Sequence, residues 1–359
     1  MRRQWLAKRK NPLKVQYKLE KAGVVMAEKA SGKAPRHLGI KFRELGLLVF
    51  IILISLLIQL RNPNYLTLEN LNDLVRNAAI MAILSVGMML VIITRGIDLS
   101  VGAEVALSGM ISALTVAAHP RMHPVFALIL GTIVGIACGF IIGFLVAKIE
   151  IVPIIASLGM MNVYRGLTYI ISGGKWVSAN QMSAGFKNIA TRSVLGINTL
   201  IFIAVIVYII FYYFINHTRT GRQIYAVGSN PESAKISGIN NIKILWMVYT
   251  IMGALAGLCG VLWVSKFASA QGDTALGYEM NLIAACVVGG VSMAGGSGKL
   301  SGVILGSLLL GIVNNALPLI NISPFWQNAI QGSIILFAVI VNVFVKRRMD
   351  KKTLMRRNI

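Results

Sequence analysis

The chain has 359 residues, of which 56% are hydrophobic and 13% charged, and its mean hydropathy is +0.73. Soluble domains of this length do not have this composition, so the sequence predicts an all-α, polytopic integral membrane protein. The net charge of +23 does not indicate a nucleic-acid partner, because the lysines and arginines gather at the two ends of the chain and not on an amphipathic or aromatic-rich patch.

Residues 1–44 form a basic tail without an apolar core long enough for a cleavable signal. We expect this tail to lie in the cytoplasm, where it fixes the orientation of the protein and is attracted to anionic membrane lipid. Residues 346–359 form a second basic tail. Both tails are expected on the same side of the membrane, which requires an even number of crossings.

Residues 45–345 are expected to form the membrane domain, because they contain apolar runs close to the ~20 residues that a crossing helix needs. There are ten such runs, at about 45–60, 78–94, 103–118, 125–147, 154–172, 198–216, 244–264, 279–294, 300–320 and 326–345. With both tails inside, most of the 35 lysines and arginines lie on the cytoplasmic side. The sequence therefore predicts a multi-pass protein of the cell membrane with both termini in the cytoplasm.

The third and eighth runs are short for a full crossing, and they hold the same rank in the two halves of the chain. Short or glycine-interrupted segments at matching positions indicate inverted halves that meet at a central pathway. The alternative is that both helices end early for packing reasons. No residue-level repeat between the halves decides between the two interpretations.

Ionisable residues near the membrane interior are candidates for a solute pathway, since such groups normally face a cavity or a partner. In RGIDLSVGAE, Asp98 is predicted to accept hydrogen bonds from the first amides of the third segment, and Ser100 to cap the same helix. Either this helix start is purely structural, or it borders the pathway and contacts hydroxyl groups of a solute. The candidate pathway residues are Asp98, Ser100, Glu104, Arg165 and Glu279, with Arg165 as the possible opposite charge.

No catalytic, metal or nucleotide site is predicted in this chain. The glycine-rich run at 289–301 departs from a phosphate-binding loop at Met293 and Leu300, and we expect a tight cytoplasmic turn there instead. His119 and His123 have metal-like spacing, but a proline between them breaks the helix that would align their rings. The three cysteines lie far apart in apolar runs, which is typical of packing residues: Cys138, Cys259 and Cys286.

The polar segment 218–243 interrupts two apolar regions and is predicted to contain a helix of about two turns. Its signals are a capping residue at Ser229 or Asn230, Pro231 in the first turn, Glu232 at the positive end of the dipole and Gly238 as a left-handed exit. A helix this short is not stable alone in water, so we expect it to dock against a soluble partner.

Four motifs in order resemble the permease family of bacterial ATP-binding-cassette (ABC) sugar importers of the ribose permease type, from about Lys41 to Val345. They are RGIDLSVG at Arg95, VPIIASLGMMNVYRGL at Val152, TGRQIYAVGSNPESAKISGI at Thr220 and MNLIAACVVGGVSMAGGSG at Met280. Two further stretches are similar to the rhamnose and autoinducer-2 permeases, namely ISGGKWVS at Ile171 and SPFWQNAIQG at Ser323.

The resemblance implies a type II importer-like bundle that moves a sugar-like solute inward and is not itself an enzyme. It implies pairing with a second permease copy or a sister permease, two cytoplasmic ATPase subunits that hold ATP and magnesium, and an extracytoplasmic solute-binding protein. It assigns coupling to the ATPase to Arg222 and to Asn230, Pro231, Glu232, Ser233, Ala234, Lys235, Ile236, Ser237 and Gly238. An ion-coupled secondary transporter remains the alternative, although no chain of buried carboxylates or histidines suited to proton relay is visible.

Overall fold

A computed structural model describes residues 38–194 and 197–323, together with single residues between 326 and 340. In chain order its α-helices are α1 (Leu38–Arg61), α2 (Leu68–Ile93), α3 (Val101–Ala118), α4 (Pro124–Ala147), α5 (Pro153–Ser172), α6 (Ala184–Thr191), α7 (Thr199–His217), α8 (Arg219–Ser229), α9 (Pro231–Ile236), α10 (Asn241–Phe267), α11 (Tyr278–Val288) and α12 (Leu300–Leu319). Two short antiparallel strands, β1 (Ser193–Val194) and β2 (Ile197–Asn198), precede α7. The all-α, multi-pass architecture is confirmed.

Eight helices in the described ranges are long and apolar enough to cross a membrane: α1, α2, α3, α4, α5, α7, α10 and α12. They correspond to eight of the ten predicted runs. The eighth run was expected to reach 294, but its helix α11 has 11 residues and ends at Val288, before the turn at Gly289 and Gly290. The tenth run, 326–345, lies largely outside the described residues, although those described between 326 and 340 are helical.

The predicted pairing of two short segments holds for α11 and is wrong for α3. Helix α3 begins at Val101, has 18 residues and qualifies as a full span. It starts two residues before the predicted run, and Glu104 in its first turn is completely buried. The inverted relationship of the two halves stays a prediction.

Two helices in the described part of the chain were not predicted. Amphipathic α6 and the small strand pair fill the connection between α5 and α7, and Phe186 of α6 is completely buried. Helix α8 occupies the first half of the segment 218–243, where only one short helix was expected. Thr218 caps α8 by accepting from the Gly221 amide at 3.0 Å.

The core is organised around α2. In the most apolar stretch of this helix 83% of the residues are buried, as expected for a stretch that is apolar on all faces. Helix α10 packs closely on α4 through facing glycines. A Cβ on Gly135 would lie 2.5 Å from the Gly257 Cα, and a Cβ on Gly253 would lie 2.7 Å from the Gly139 Cα. Small residues at such contacts let two membrane helices approach closely enough to pack backbone against backbone.

The cysteines behave as predicted for packing residues. Cys138, Cys259 and Cys286 are all free and buried. The Cys286 thiol lies 3.4 Å from the Ser85 carbonyl oxygen, which joins α11 to the central helix α2.

Candidate functional site

The short helix predicted in the segment 218–243 is α9, and the residues that were expected to start and end it do so. Asn230, not Ser229, is the cap, because its side-chain oxygen accepts from the Ser233 amide at 3.0 Å. Pro231 occupies the first turn, and Gly238 leaves the helix with a φ of +78°. Glycine adopts this left-handed conformation without the steric cost that a side chain imposes.

One face of α9 is held by the protein and the other is free in the described structure. Ala234 is buried, and the Pro231 carbonyl accepts from the Asn241 side chain at 2.8 Å. Ile236, by contrast, is 88% exposed. The rest of the outward face is formed by Glu232, Ser233, Lys235, Ser237 and Gly238, all exposed, and Arg222 on α8 is exposed as well.

The α8–α9 junction is joined to the membrane bundle at a contact that we call the seam. The Arg95 guanidinium donates through Nε to the Gly228 carbonyl at 2.7 Å and through Nη2 to the Ser229 carbonyl at 2.5 Å. The Gly296 amide donates to the Ile93 carbonyl at 2.8 Å. The seam therefore connects the end of α2, the α8–α9 junction and the glycine-rich turn before α12.

The seam requires glycine on two sides. A Cβ on Gly228 would come closer than 3.0 Å to the Ile93 carbonyl oxygen and would lie 2.8 Å from the Gly296 nitrogen. Gly295 and Gly296 have φ values of +81° and +68°, so the glycine-rich run makes the tight turn that was predicted.

Tyr225 of α8 ties the same turn from the side. Its hydroxyl donates to the Gly298 carbonyl at 2.8 Å. Burial raises the pKa of the Tyr225 phenol, since the charged form loses its hydration, so this donor keeps its proton at physiological pH.

A buried polar cluster follows the seam in the chain. Asp98, Ser100 and Glu104 are completely buried. The Asp98 Oδ1 accepts from the Ser100 amide at 2.9 Å and from the Ser100 hydroxyl at 2.5 Å, and the hydroxyl also lies 3.1 Å from the Glu104 Oε1. Ser100 occupies the predicted N-cap position of α3, but its hydroxyl is engaged by the two carboxyl groups and makes no capping bond to a helix amide.

The cluster has unused hydrogen-bonding capacity. Neither Asp98 Oδ2 nor Glu104 Oε2 has a hydrogen-bond partner among the described residues, and the buried Tyr249 hydroxyl also has none. Buried polar atoms are normally paired, so these three oxygens mark a place where the packing is not optimised for stability alone.

The remaining candidate pathway residues are Glu279 in the first turn of α11 and Arg165 on α5, whose side chain reaches the loop before α11. A Cβ on Gly102 would lie 2.8 Å from the Glu279 Oε2, so the start of α11 abuts the start of α3. Arg165 was predicted as the possible opposite charge. Its Nη1 donates to the Gly272 and Thr274 carbonyls, each at 2.8 Å, and its guanidinium also attracts the nearby Glu279 carboxylate without forming an ion pair with it. Within the described residues the one ion pair is Arg76–Asp73, at 3.3 Å.

The roles of Arg95 and Gly228 in the seam were not predicted. From the sequence, Arg95 was recognised only as the first residue of the motif RGIDLSVG. Its role depends on a φ of +67° and on carbonyls more than 130 positions away, and neither can be read from local sequence. The arginine–glycine pair that ends an apolar run was the one signal available.

The chain matches, over residues 70–339, the family described as branched-chain amino acid transport system / permease component. It is 38% identical over 302 residues to the ribose import permease protein of Escherichia coli (strain K12), an alignment that covers 83% of this chain and 92% of that protein. The corresponding protein of Bacillus subtilis (strain 168) is 38% identical over 298 residues, with 83% and 91% covered. The L-arabinose transport system permease protein of Escherichia coli (strain K12) is 34% identical over 304 residues, with 85% and 92% covered. No solved structure matches the chain significantly.

Proposed function

Because the chain belongs to this family of transport permease components, we propose that it is the membrane subunit of an ABC importer whose cargo is a sugar or sugar-like solute. The observation that carries the proposal is the 38% identity to a ribose import permease over 83% of the chain. Hydrolysis of ATP takes place in separate subunits, and this chain supplies the path through the membrane.

The cargo class follows from the relatives, which differ in the sugar that they name. Besides ribose and arabinose, a relative 31% identical over 314 residues is the galactose/methyl galactoside import permease protein of Salmonella typhimurium (strain LT2), with 83% of this chain and 93% of that protein covered. Each name refers to a small polyhydroxylated solute, and we assign this class to the chain. Rhamnose and autoinducer-2, suggested by the stretches at Ile171 and Ser323, stay predictions within it.

Force is proposed to enter through α9. An isoleucine that is 88% exposed on a six-residue helix fits a groove on a partner, because Ile236 buries its apolar surface only when something covers it. We assign this role to the outward face of α9 together with Arg222, and the partner is the ATPase. The coupling works only if the contacts of α9 differ between the two states of the transporter.

The seam offers a route from α9 into the membrane. A displacement of the α8–α9 junction acts on Arg95 through two hydrogen bonds to backbone carbonyls. Asp98, Ser100 and Glu104 follow Arg95 in the chain. Arg165 holds the loop before α11 through its hydrogen bonds, and Glu279 in the first turn of α11 lies against Gly102 at the start of α3. We propose that these five residues border the solute pathway and shift when α9 moves.

The proposed assembly has both tails, 1–44 and 346–359, in the cytoplasm on either side of a membrane domain at 45–345. Two ATPase subunits with ATP and magnesium, a second permease copy or sister permease, and an extracytoplasmic solute-binding protein complete the importer. Residues 1–37 and 346–359 lie outside the described residues, so the position of the tails rests on the distribution of lysine and arginine alone.

The proposal is tested by purifying the chain with its co-expressed ATPase and adding candidate binding proteins loaded with ribose, arabinose, galactose or rhamnose. We expect one loaded binding protein to stimulate ATP hydrolysis. Sugar uptake driven by a proton or sodium gradient without any ATPase would instead establish the ion-coupled alternative.

The orientation is tested separately with Ser233→Cys. We expect a membrane-impermeant thiol reagent to label this variant in inside-out vesicles and to leave it unmodified in intact cells. Labelling from outside would place α9 on the wrong face and would remove it from the coupling mechanism.

A further inference from the structure

A groove with a volume of about 660 Å³ lies between α2, α7 and α12, away from the buried polar cluster. Most of its lining is apolar, including Ala79, Ala204, Ile209, Ile304 and Leu308. We propose that this groove binds one anionic phospholipid, with an acyl chain along α7 and the phosphate of the headgroup at the end of the groove next to α8. This assignment goes beyond the transport function and does not depend on it.

The polar end of the groove has the chemistry of an anion site. Asn216, Tyr225 and Lys299 line the same cavity as the apolar residues. Arg222 lies three positions before Tyr225 on α8, so the two side chains share a helix face and the arginine sits beside the mouth of the groove. Basic pockets between membrane helices at the cytoplasmic side favour anionic lipid headgroups.

Among the described residues, no carboxylate neutralises these cations. The ion pair that the described structure contains joins Arg76 and Asp73, and neither Lys299 nor Arg222 has a carboxylate within 4.0 Å there. Both side chains are exposed. Charge complementarity therefore favours an occupant that brings a negative charge to this end and hydrocarbon to the other.

The length of the groove suits one lipid leaflet. Its α7 lining runs from Ile201 to Asn216. At a rise of about 1.5 Å per residue this stretch is about 22 Å long. One leaflet contributes about half of a ~30 Å hydrocarbon core, so an acyl chain and the glycerol region fit along the helix.

The tenth apolar run is a less suitable occupant. It is followed directly by Lys346, Arg347 and Arg348. If the run lay antiparallel to α12 in the groove, these basic residues would lie close to Lys299. Like charges placed close together repel each other. A lipid phosphate at the same place is attracted instead.

The site is tested by native mass spectrometry of the full chain with phosphatidylglycerol, phosphatidylcholine of the same acyl chains, or inorganic phosphate. We expect one tightly bound phosphatidylglycerol, weaker phosphatidylcholine and no retained phosphate. Lys299→Gln is expected to weaken phosphatidylglycerol about fivefold, the effect of removing one basic residue near the membrane surface. Lys148→Gln, an exposed lysine at the end of α4 that does not line the groove, is the matched control and should bind as the wild type does.

The apolar part is tested by Ile304→Trp, which fills the groove and should abolish tight binding. The control is Ile136→Trp on α4, because Ile304 and Ile136 are 41% and 38% exposed in the protein and only the first lines the groove. Equal loss in both tryptophan variants, equal retention of the two lipids, or binding of phosphate alone would overturn the proposal. A photo-crosslink from position 304 to residues 324–345 of the same chain would also overturn it.

Discussion

Replacing Gly228 by alanine adds one methyl group at the seam between α8–α9 and the membrane bundle. The new Cβ would come within 3.0 Å of the Ile93 carbonyl oxygen and lie 2.8 Å from the Gly296 nitrogen. Both neighbours are backbone atoms, so no side chain can rotate away to make room. The two segments must separate, and the hydrogen bond from Gly296 to Ile93 at 2.8 Å must lengthen or break.

The magnitude follows from the bonds that the seam contains. A backbone hydrogen bond contributes about 1 kcal/mol to stability, and a bond from a charged donor contributes about 1.5–3 kcal/mol. The Arg95 bonds are partly exposed to water, so we take the lower figure for them. Loss of the backbone bond alone then costs about 1 kcal/mol, and loss of the two Arg95 bonds as well brings the cost to about 4 kcal/mol, a range that contains the usual penalty of about 1–3 kcal/mol for overpacking.

Two assays measure this effect in Gly228→Ala. Limited proteolysis of the segment 218–243 reports whether the junction has come loose, and sugar uptake with the partner ATPase reports whether coupling is lost. We expect faster cleavage and at least a tenfold loss of uptake while the protein stays inserted. Gly46→Ala is the control, because nothing lies within 4 Å of a Cβ there and no positive φ is involved. Cleavage and uptake equal to those of Gly46→Ala would refute the proposed role of the seam.

Three further predictions concern other parts of the chain. Gly238→Val should abolish ATP-driven uptake without affecting insertion, because a β-branched side chain is strained at a φ of +78°; normal uptake would show that α9 tolerates the loss of its exit. Gly135→Leu should lower the thermal unfolding temperature of the detergent-solubilised protein, because the α4–α10 contact has no room for a side chain. Gly159→Leu, with open space around it, should not lower this temperature, and equal shifts in the two variants would argue against the close glycine packing. Asp98→Ala should destabilise the protein by about 1–3 kcal/mol, because it leaves the buried amide of Ser100 without an acceptor, and Asp98→Asn should cost less in the same measurement.

Short-range signals in the sequence correctly predicted the membrane architecture and the short helix α9. Apolar runs of crossing length become helices in lipid because every backbone polar group must be paired within the segment. The cap at Asn230, the proline after it and the glycine exit at Gly238 act over three to eight positions, so they can be recognised without knowing what surrounds them.

The contacts between these elements in the candidate functional site depend on the tertiary structure alone. Arg95 meets Gly228 across more than 130 positions, and Arg165 donates to the carbonyls of Gly272 and Thr274, more than 100 positions away. Ser100 sits where a cap is common, yet its hydroxyl serves two carboxyl groups. The partner of a buried polar side chain depends on how several helices pack together, because a buried donor bonds to the acceptor that the fold brings within reach. A single sequence shows the donor but not which acceptor lies beside it.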